Sequence, residues 1–274
     1  MPELPEVETV CRGLRPIFAG NTIAKVEQRR PNLRFDFPTD FVSSLRGQRI
    51  NNVERRAKYI QVFLDSDQVW LTHLGMSGRF IIHDETYESS PHDHVVVHLK
   101  SGERVYYRDP RRFGYMDVST RSELPKHRFL RMLGAEPLEP EFNAEMLEKV
   151  FHGRNKPLKT ALLDQTLIAG LGNIYVCEAL FQARLSPWQK ASTLNNTERV
   201  ALVAVIQDVL HKAIKAGGST LRDYAQVEGE LGYFQHQFQV YGRTDEPCQE
   251  CTQPIEQKKQ GGRSTFYCGV CQRV

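Results

Sequence analysis

The chain has 274 residues, 40% hydrophobic and 25% charged, with a formal net charge of +3 at pH 7. That balance suits a globular protein with room for two ordinary domains. No stretch approaches the ~18 uninterrupted apolar residues of a membrane span, and no basic segment followed by an apolar core opens the chain, so the expected protein spans no membrane, is not secreted and is cytoplasmic.

The first residues, Met1-Pro2-Glu3-Leu4-Pro5-Glu6-Val7-Glu8-Thr9, place a proline where methionine removal would make it the terminus. A terminal proline carries a secondary amine, and α-amino groups titrate near pH ~7.7–8.0, so part of it is neutral and nucleophilic at cellular pH. Glu3 follows directly, with Glu6 nearby. An amine that can form an imine with a sugar carbon, beside a carboxyl that can give and take protons, is a covalent-catalysis constellation. The plain alternative is that these acids only favour the first turn of a helix. Val7, Val10, Cys11, Leu14 and Phe18 recur at helical spacing, and with Pro5 early and Gly20 as a stop they predict a helix over 5–19.

From Thr22 to about Val118 the pattern becomes short apolar or alternating runs: Tyr59–Leu64, Val69–Leu74, Arg79–Ile82, His94–Leu99, Arg104–Tyr107 and Phe113–Val118. Separated by Gly, Asp, Ser and Pro, they predict an antiparallel sandwich or barrel. Between Lys25 and Lys58 nine basic residues face four acidic ones, and Arg104, Arg108, Arg111 and Arg112 cluster around Asp109. Clustered arginine suits phosphate contact, although such runs also occur as solvated faces. His73-Leu-Gly-Met76-Ser-Gly78 and Asp109-Pro-Arg111-Arg112-Phe113-Gly114 each offer an apolar side chain near glycine. Singly, such residues close over a core. Exposed together, they could wedge into a base stack and fill the gap left by an extruded nucleotide.

Gly134 to Pro140 reads as a linker, and helices are expected near 143–152, 156–165, 173–183 and 197–216. The last places Val200, Val203, Ala204, Leu210, Ala213 and Ile214 on one face before Gly217-Gly218. Residues 219–236 lack periodicity and are expected to form a mobile loop, a lid or merely a long connection. Asn173, after Gly170-Leu-Gly172, is a favourable N-cap whose helix could receive an anion, with Arg154, Lys156 and Lys159 nearby.

Cys248, Cys251, Cys268 and Cys271 form two CxxC pairs separated by 16 residues. Four thiolates complete a tetrahedral zinc shell and leave no open position, so the zinc is structural. The intervening Gly261-Gly262-Arg263-Ser264-Thr265-Phe266-Tyr267 fits a hairpin with Arg263 at its tip.

Together, the opening octapeptide from Pro2, Arg55-Arg-Ala-Lys58-Tyr, His73-Leu-Gly-Met-Ser-Gly, His92-Asp-His, Asp109-Pro-Arg-Arg-Phe-Gly, Gly170-Leu-Gly-Asn-Ile-Tyr and the four cysteines closely resemble the bacterial formamidopyrimidine-DNA glycosylases over essentially the whole chain. The resemblance implies an α+β protein. An N-terminal β-sandwich with flanking helices (1–133) would precede a helix–two-turn–helix domain (134–237) and a zinc finger (238–274), with DNA in the cleft between the two main domains. It implies a monomer that acts on double-stranded DNA containing oxidised purines, 8-oxoguanine and formamidopyrimidines, and then cleaves the strand by β,δ-elimination. Pro2 would be the nucleophile and Glu3 the acid protonating the opening sugar. Lys58 would donate a proton in elimination, Glu6 give electrostatic support and Arg263 serve the second elimination and grip phosphate. His92, Arg111, Arg154, Lys159, Asn173 and Tyr241 would hold the DNA backbone, while Met76, Arg111 and Phe113 would fill the void and address the orphaned cytosine. Two rivals are an endonuclease VIII-type enzyme for oxidised pyrimidines, disfavoured by Leu4 and by the Met76, Arg111 and Phe113 set, and a non-catalytic lesion-binding zinc protein, disfavoured by the joint presence of Pro2, Glu3 and Lys58.

Overall fold

Helix α1 (Leu4–Phe18) buries Leu4, Val7, Val10, Cys11, Leu14 and Phe18 along one stripe, and Gly20 follows in the left-handed region at φ 81°. The computed structural model describes residues 2–83, 87–219 and 232–273. The α1 stripe packs on an antiparallel sheet of β2 (Ile50–Arg56), β3 (Tyr59–Leu64), β4 (Gln68–His73) and β8 (Tyr115–Thr120), in that order. The second antiparallel sheet runs β1 (Ile23–Gln28), β6 (Asp93–Leu99), β7 (Arg104–Arg108), β5 (Arg79–His83), and the short helix α2 (Phe41–Leu45) packs beside β1. Val97, Val105 and Tyr107 of this sheet share one core with Ile60, Val62 and Trp70 of the first and with Leu14 and Phe18 of α1. Of the sandwich or barrel that the alternating runs predict, this is the sandwich, and the helix on its flank agrees with what the family resemblance implies; each buried aliphatic side chain contributes roughly 1.5–3 kcal/mol.

Strands β1 and β2 carry no alternation in sequence, and a shared irregularity explains it. Each has a register shift near its start, at Ile23/Lys25 and Ile50/Asn52. The extra residue spaces the inward side chains three apart, as Ile23 with Val26 and Ile50 with Val53. A bulge of this kind erases the period of two.

The chain forms two compact units, Met1–Arg131 with Ala216–Gln235, and Met132–Lys215 with His236–Val274. This differs from the expected division at 133 and 237. Residues 216–235 join the first unit because their described flanks pair with each other and with α1: the Tyr233 and Phe234 amides donate to the Ala216 and Gly218 carbonyls, and Ser219 bonds Glu6. Most of the expected 219–236 loop, at 220–231, lies outside the described residues.

The second unit contains α3 (Ala144–Phe151), α4 (Leu158–Leu162), α5 (Asn173–Gln182), α6 (Asn196–Lys215) and a hairpin of β9 (Glu256–Gln260) and β10 (Arg263–Tyr267). Every residue of α5 from Ile174 to Phe181 is buried, which makes it the central element. The zinc hairpin is not separate from the helices, since Cys177 and Phe181 of α5 share a core with Val240, Ile255 and Phe266. The inward face of α6 is Leu202, Ile206, Val209, Leu210, Ala213 and Ile214. Val200 and Ala204, expected on that face, are exposed, because Leu202, Ile206, Val209 and Ala213 form the continuous helical stripe. Gly134–Pro140 is not a free linker either, as the Gly134 and Ala135 amides donate to the Gln165 and Leu167 carbonyls. No helix among the described residues is long and apolar enough to cross a membrane.

Candidate active site

At the start of α1 two carboxylates are buried together, Glu3 at 3% exposure and Glu6 at 2%, directly after the buried Pro2. A helix N-terminus favours anions through its free amides and dipole. The Glu3 amide donates to Glu6 Oε2 at 2.8 Å, while the amide and hydroxyl of Ser219 donate to Glu6 Oε1 at 2.9 and 3.0 Å. Both oxygens of Glu6 are therefore held, which fixes the first turn and the approach to Pro2. Ser219 had no local signal in the sequence, because its contact spans 213 residues.

Lys58 sits at the tip of the β2–β3 hairpin and is buried. The preceding Ala57 adopts φ 53°, a left-handed conformation that costs roughly 1–2 kcal/mol for a non-glycine residue. Arg55 offsets this by donating to the Ala57 carbonyl at 3.2 Å and to Glu8 of α1 at 3.3 Å. The turn that presents Lys58 is thus anchored to the helix that presents Glu3 and Glu6. Burial, and then the charges of Lys58 and Arg34, push His73 down to about 3. Its Nδ1 accepts from the Gly75 amide at 3.0 Å, so the neutral ring carries its proton on Nε2.

The two glycine-bearing loops touch backbone to backbone. A Cβ on Gly75, which has φ 64°, would lie 2.3 Å from the Phe113 carbonyl carbon. The fully buried Asp109 ties them together, accepting from the Ser77 hydroxyl at 2.5 Å and the Gly114 amide at 2.8 Å, while Ser77 Oγ accepts from the Arg111 amide at 3.2 Å. Phe113 is left 42% exposed with the Arg111 guanidinium 5.0 Å from its ring centre, and Met76 is half-buried. The exposed His92 adjoins this corner, its carbonyl accepting from the Asp109 amide at 3.0 Å.

Part of the basic run is neutralised internally. Lys25, Arg29 and His98 surround Glu27 and pull its carboxyl down to about 2, and Arg108 pairs with buried Asp93 at 2.8 Å. Arg34, Arg111 and Arg112 remain exposed.

In the second unit Arg154 is exposed after α3, with Nε on the Val150 carbonyl at 2.6 Å. Gly172, not Asn173, occupies the N-cap of α5. Asn173 is the first helical residue, and its Nδ2 donates to the Ser264 carbonyl at 2.9 Å, beside the exposed Arg263. Lys159 departs further from expectation. It is 1% exposed, and its ammonium donates to the Ser264 carbonyl at 2.9 Å and Thr265 Oγ1 at 2.8 Å, so it holds the hairpin and presents no charge to solvent. Tyr241 is half-buried, its ring 4.8 Å from that of Phe266. Its position depends on Glu178, which sequence reasoning missed: that buried carboxylate accepts from the amides of Gln239, Val240 and Tyr241 at 2.8–3.0 Å. Burial raises the Glu178 pKa and the three amides oppose the rise.

The sulfurs of Cys248, Cys251, Cys268 and Cys271 all lie within 4.8 Å of one another. A tetrahedron with Zn–S of ~2.3 Å requires sulfurs about 3.8 Å apart. The Cys248–Cys271 and Cys251–Cys268 pairs, at 3.9 and 3.4 Å, fit one zinc ion held entirely by sulfur.

Three family descriptions match the chain in succession: the formamidopyrimidine-DNA glycosylase N-terminal domain over residues 1–116, its H2TH domain over 133–225, and the zinc finger found in FPG and IleRS over 245–274. The formamidopyrimidine-DNA glycosylases of Beijerinckia indica and of Ruegeria sp. strain TM1040 are 52% and 50% identical, each covering 100% of both chains. Among solved structures, the MutM (Fpg) protein of Thermus thermophilus superposes with a TM-score of 0.89 at 39% identity, covering 99% of this chain and 98% of that one. The Lactococcus lactis Fpg bound to abasic-site DNA gives 0.91 at 34% identity, over 99% of this chain and 100% of that one. Matched domain by domain by these family descriptions and over its full length by relatives about half identical to it, the chain belongs to the formamidopyrimidine-DNA glycosylase family.

Proposed function

We propose that this protein excises oxidised purines, 8-oxoguanine and formamidopyrimidines, from double-stranded DNA and then cleaves the abasic strand. The observation that carries this reading is the burial of Glu3 and Glu6 at the helix start that bears Pro2, with Glu6 gripped at both oxygens. Once Met1 is removed, the neutral amine of Pro2 attacks C1′ as the C1′–N bond to the damaged base breaks. Glu3 protonates the ring oxygen as the sugar opens, and the amine becomes a Schiff base. That cation acidifies C2′, so loss of a proton expels the 3′ phosphate, and Lys58 supplies a proton in this elimination. A further proton shift expels the 5′ phosphate, assisted by Arg263. The zinc, fully ligated by sulfur, holds the finger in shape.

His92, Arg111, Arg154, Asn173 and Tyr241 grip the DNA backbone. Met76, Arg111 and Phe113 occupy the void and address the cytosine left behind. Identity near 50% over full length to curated formamidopyrimidine-DNA glycosylases favours the purine reading over the oxidised-pyrimidine one. The protein acts as a monomer in the cytoplasm, on the nucleoid. The test is borohydride trapping on a duplex with 8-oxoguanine opposite cytosine, followed by mass mapping of the adduct. The expected adduct lies at Pro2 and disappears when Met1 is retained. An adduct mapping to Lys58, or full activity with Met1 in place, overturns the assignment.

A further inference from the structure

Lys159 is a fully buried cation whose two described acceptors, the Ser264 carbonyl and the Thr265 hydroxyl, are both neutral. Burying a charge against neutral groups is costly, and burial does lower the Lys159 pKa. Both acceptors directly follow Arg263 in β10. The Ser264 carbonyl also accepts from Asn173 at 2.9 Å, so a lysine on α4 and an asparagine on α5 close on one peptide oxygen. Across the hairpin, Gln260 accepts from Thr265 at 3.2 Å and donates to the Pro187 carbonyl at 3.1 Å. The residues flanking Gly261-Gly262-Arg263 on both strands are therefore fastened to the helical scaffold, whereas the tip is exposed.

We infer that Lys159 is a positioning residue that acts through Arg263, clamping the Ser264–Thr265 backbone so that the hairpin tip delivers its guanidinium to a DNA phosphate. The inference rests on the phosphate role given to Arg263 above. Displacing a group by an ångström can cost on the order of 100-fold in a step that depends on it.

The test uses full-length, zinc-loaded protein with Lys159→Met, Arg263→Gln and the double variant, zinc content being verified first. On a duplex with a preformed abasic site, Lys159→Met should reduce the ratio of δ- to β-elimination product about as much as Arg263→Gln does, with borohydride trapping within about twofold of wild type. Its binding should lose about one charge of salt dependence, and the double variant should lose no more than either single one. A double variant that loses two charges would mean that Lys159 itself meets phosphate, and an unchanged product ratio would mean that the clamp is immaterial; either overturns the inference. Failure of wild-type trapping would instead count against the covalent reading. If Lys159→Met does not retain zinc, amide exchange on Thr265→Val decides, because the clamp requires about tenfold faster exchange confined to residues 261–264. Unchanged protection there refutes it.

Discussion

Asp109→Asn probes whether the two glycine-bearing loops proposed to enter the base stack are a pre-assembled unit. The native carboxylate accepts from the Ser77 hydroxyl at 2.5 Å on one oxygen and from the Gly114 amide at 2.8 Å on the other, in a fully buried position. Asparagine keeps the shape but turns one acceptor into a donor. Facing Gly114 it opposes an N–H, and facing Ser77 it leaves the hydroxyl proton without the carboxylate oxygen that accepts it in the native protein. Hydrogen bonds to a charged group are worth ~1.5–3 kcal/mol and a stranded buried donor costs ~1–3 kcal/mol, so a net loss of about 2–3 kcal/mol is expected. For a unit of this size that corresponds to a melting shift of roughly 4–12 °C. The functional loss should be selective. Single-turnover excision of 8-oxoguanine should fall about 10- to 100-fold as Met76 and Phe113 lose their common anchor, while cleavage at a preformed abasic site changes by less than about threefold. Equal losses on both substrates, or native melting with native excision, would refute the idea that Asp109 assembles the wedge.

Phe113→Ala and Met76→Ala should weaken lesion excision more than nonspecific binding, since they offset an unstacking cost of a few kcal/mol; equal damage at an abasic site would mark Phe113 as packing only. Cys248→Ser, or chelation, should abolish DNA binding while circular dichroism of the first unit persists, because zinc-binding free energy is folding free energy for the finger; retained lesion affinity after verified zinc loss would contradict this. His73, pushed down to about 3, favours the folded state while neutral. Its contribution is therefore complete above the unfolded value near ~6.5 and is lost as pH falls from there toward the folded value, and His73→Phe should flatten that part of the stability profile. The His73 ring should show no NMR titration between pH 5 and 8, the range of an ordinary histidine; a midpoint there would refute the burial argument.

Groupings that depend on residue identity over short spacing are legible in the sequence: Glu3 directly after Pro2 at a helix start, the CxxC pairs that gather four sulfurs, and the two glycine-bearing loops of Met76 and Phe113. Strands with regular alternation were legible too, whereas β1 and β2 were hidden by their bulges. What spacing could not reveal is the long-range polar bonding that places the site. Ser219 on Glu6, Ser77 on Asp109 and Glu178 on the amides before Tyr241 each join distant segments.

Lys159 shows that some of this was within reach. Read as one of several cations near an anion-binding helix, it belongs on the surface. Read by helical period, it lies on the same face as Leu162 three residues on, and Leu158, Lys159, Ala161 and Leu162 are all buried. The apolar period outweighs the charge in deciding which way a short helix faces, and the charge is then satisfied by whatever the buried face meets. Here it meets the backbone behind Arg263, so a cation that sequence assigns to phosphate instead holds the hairpin.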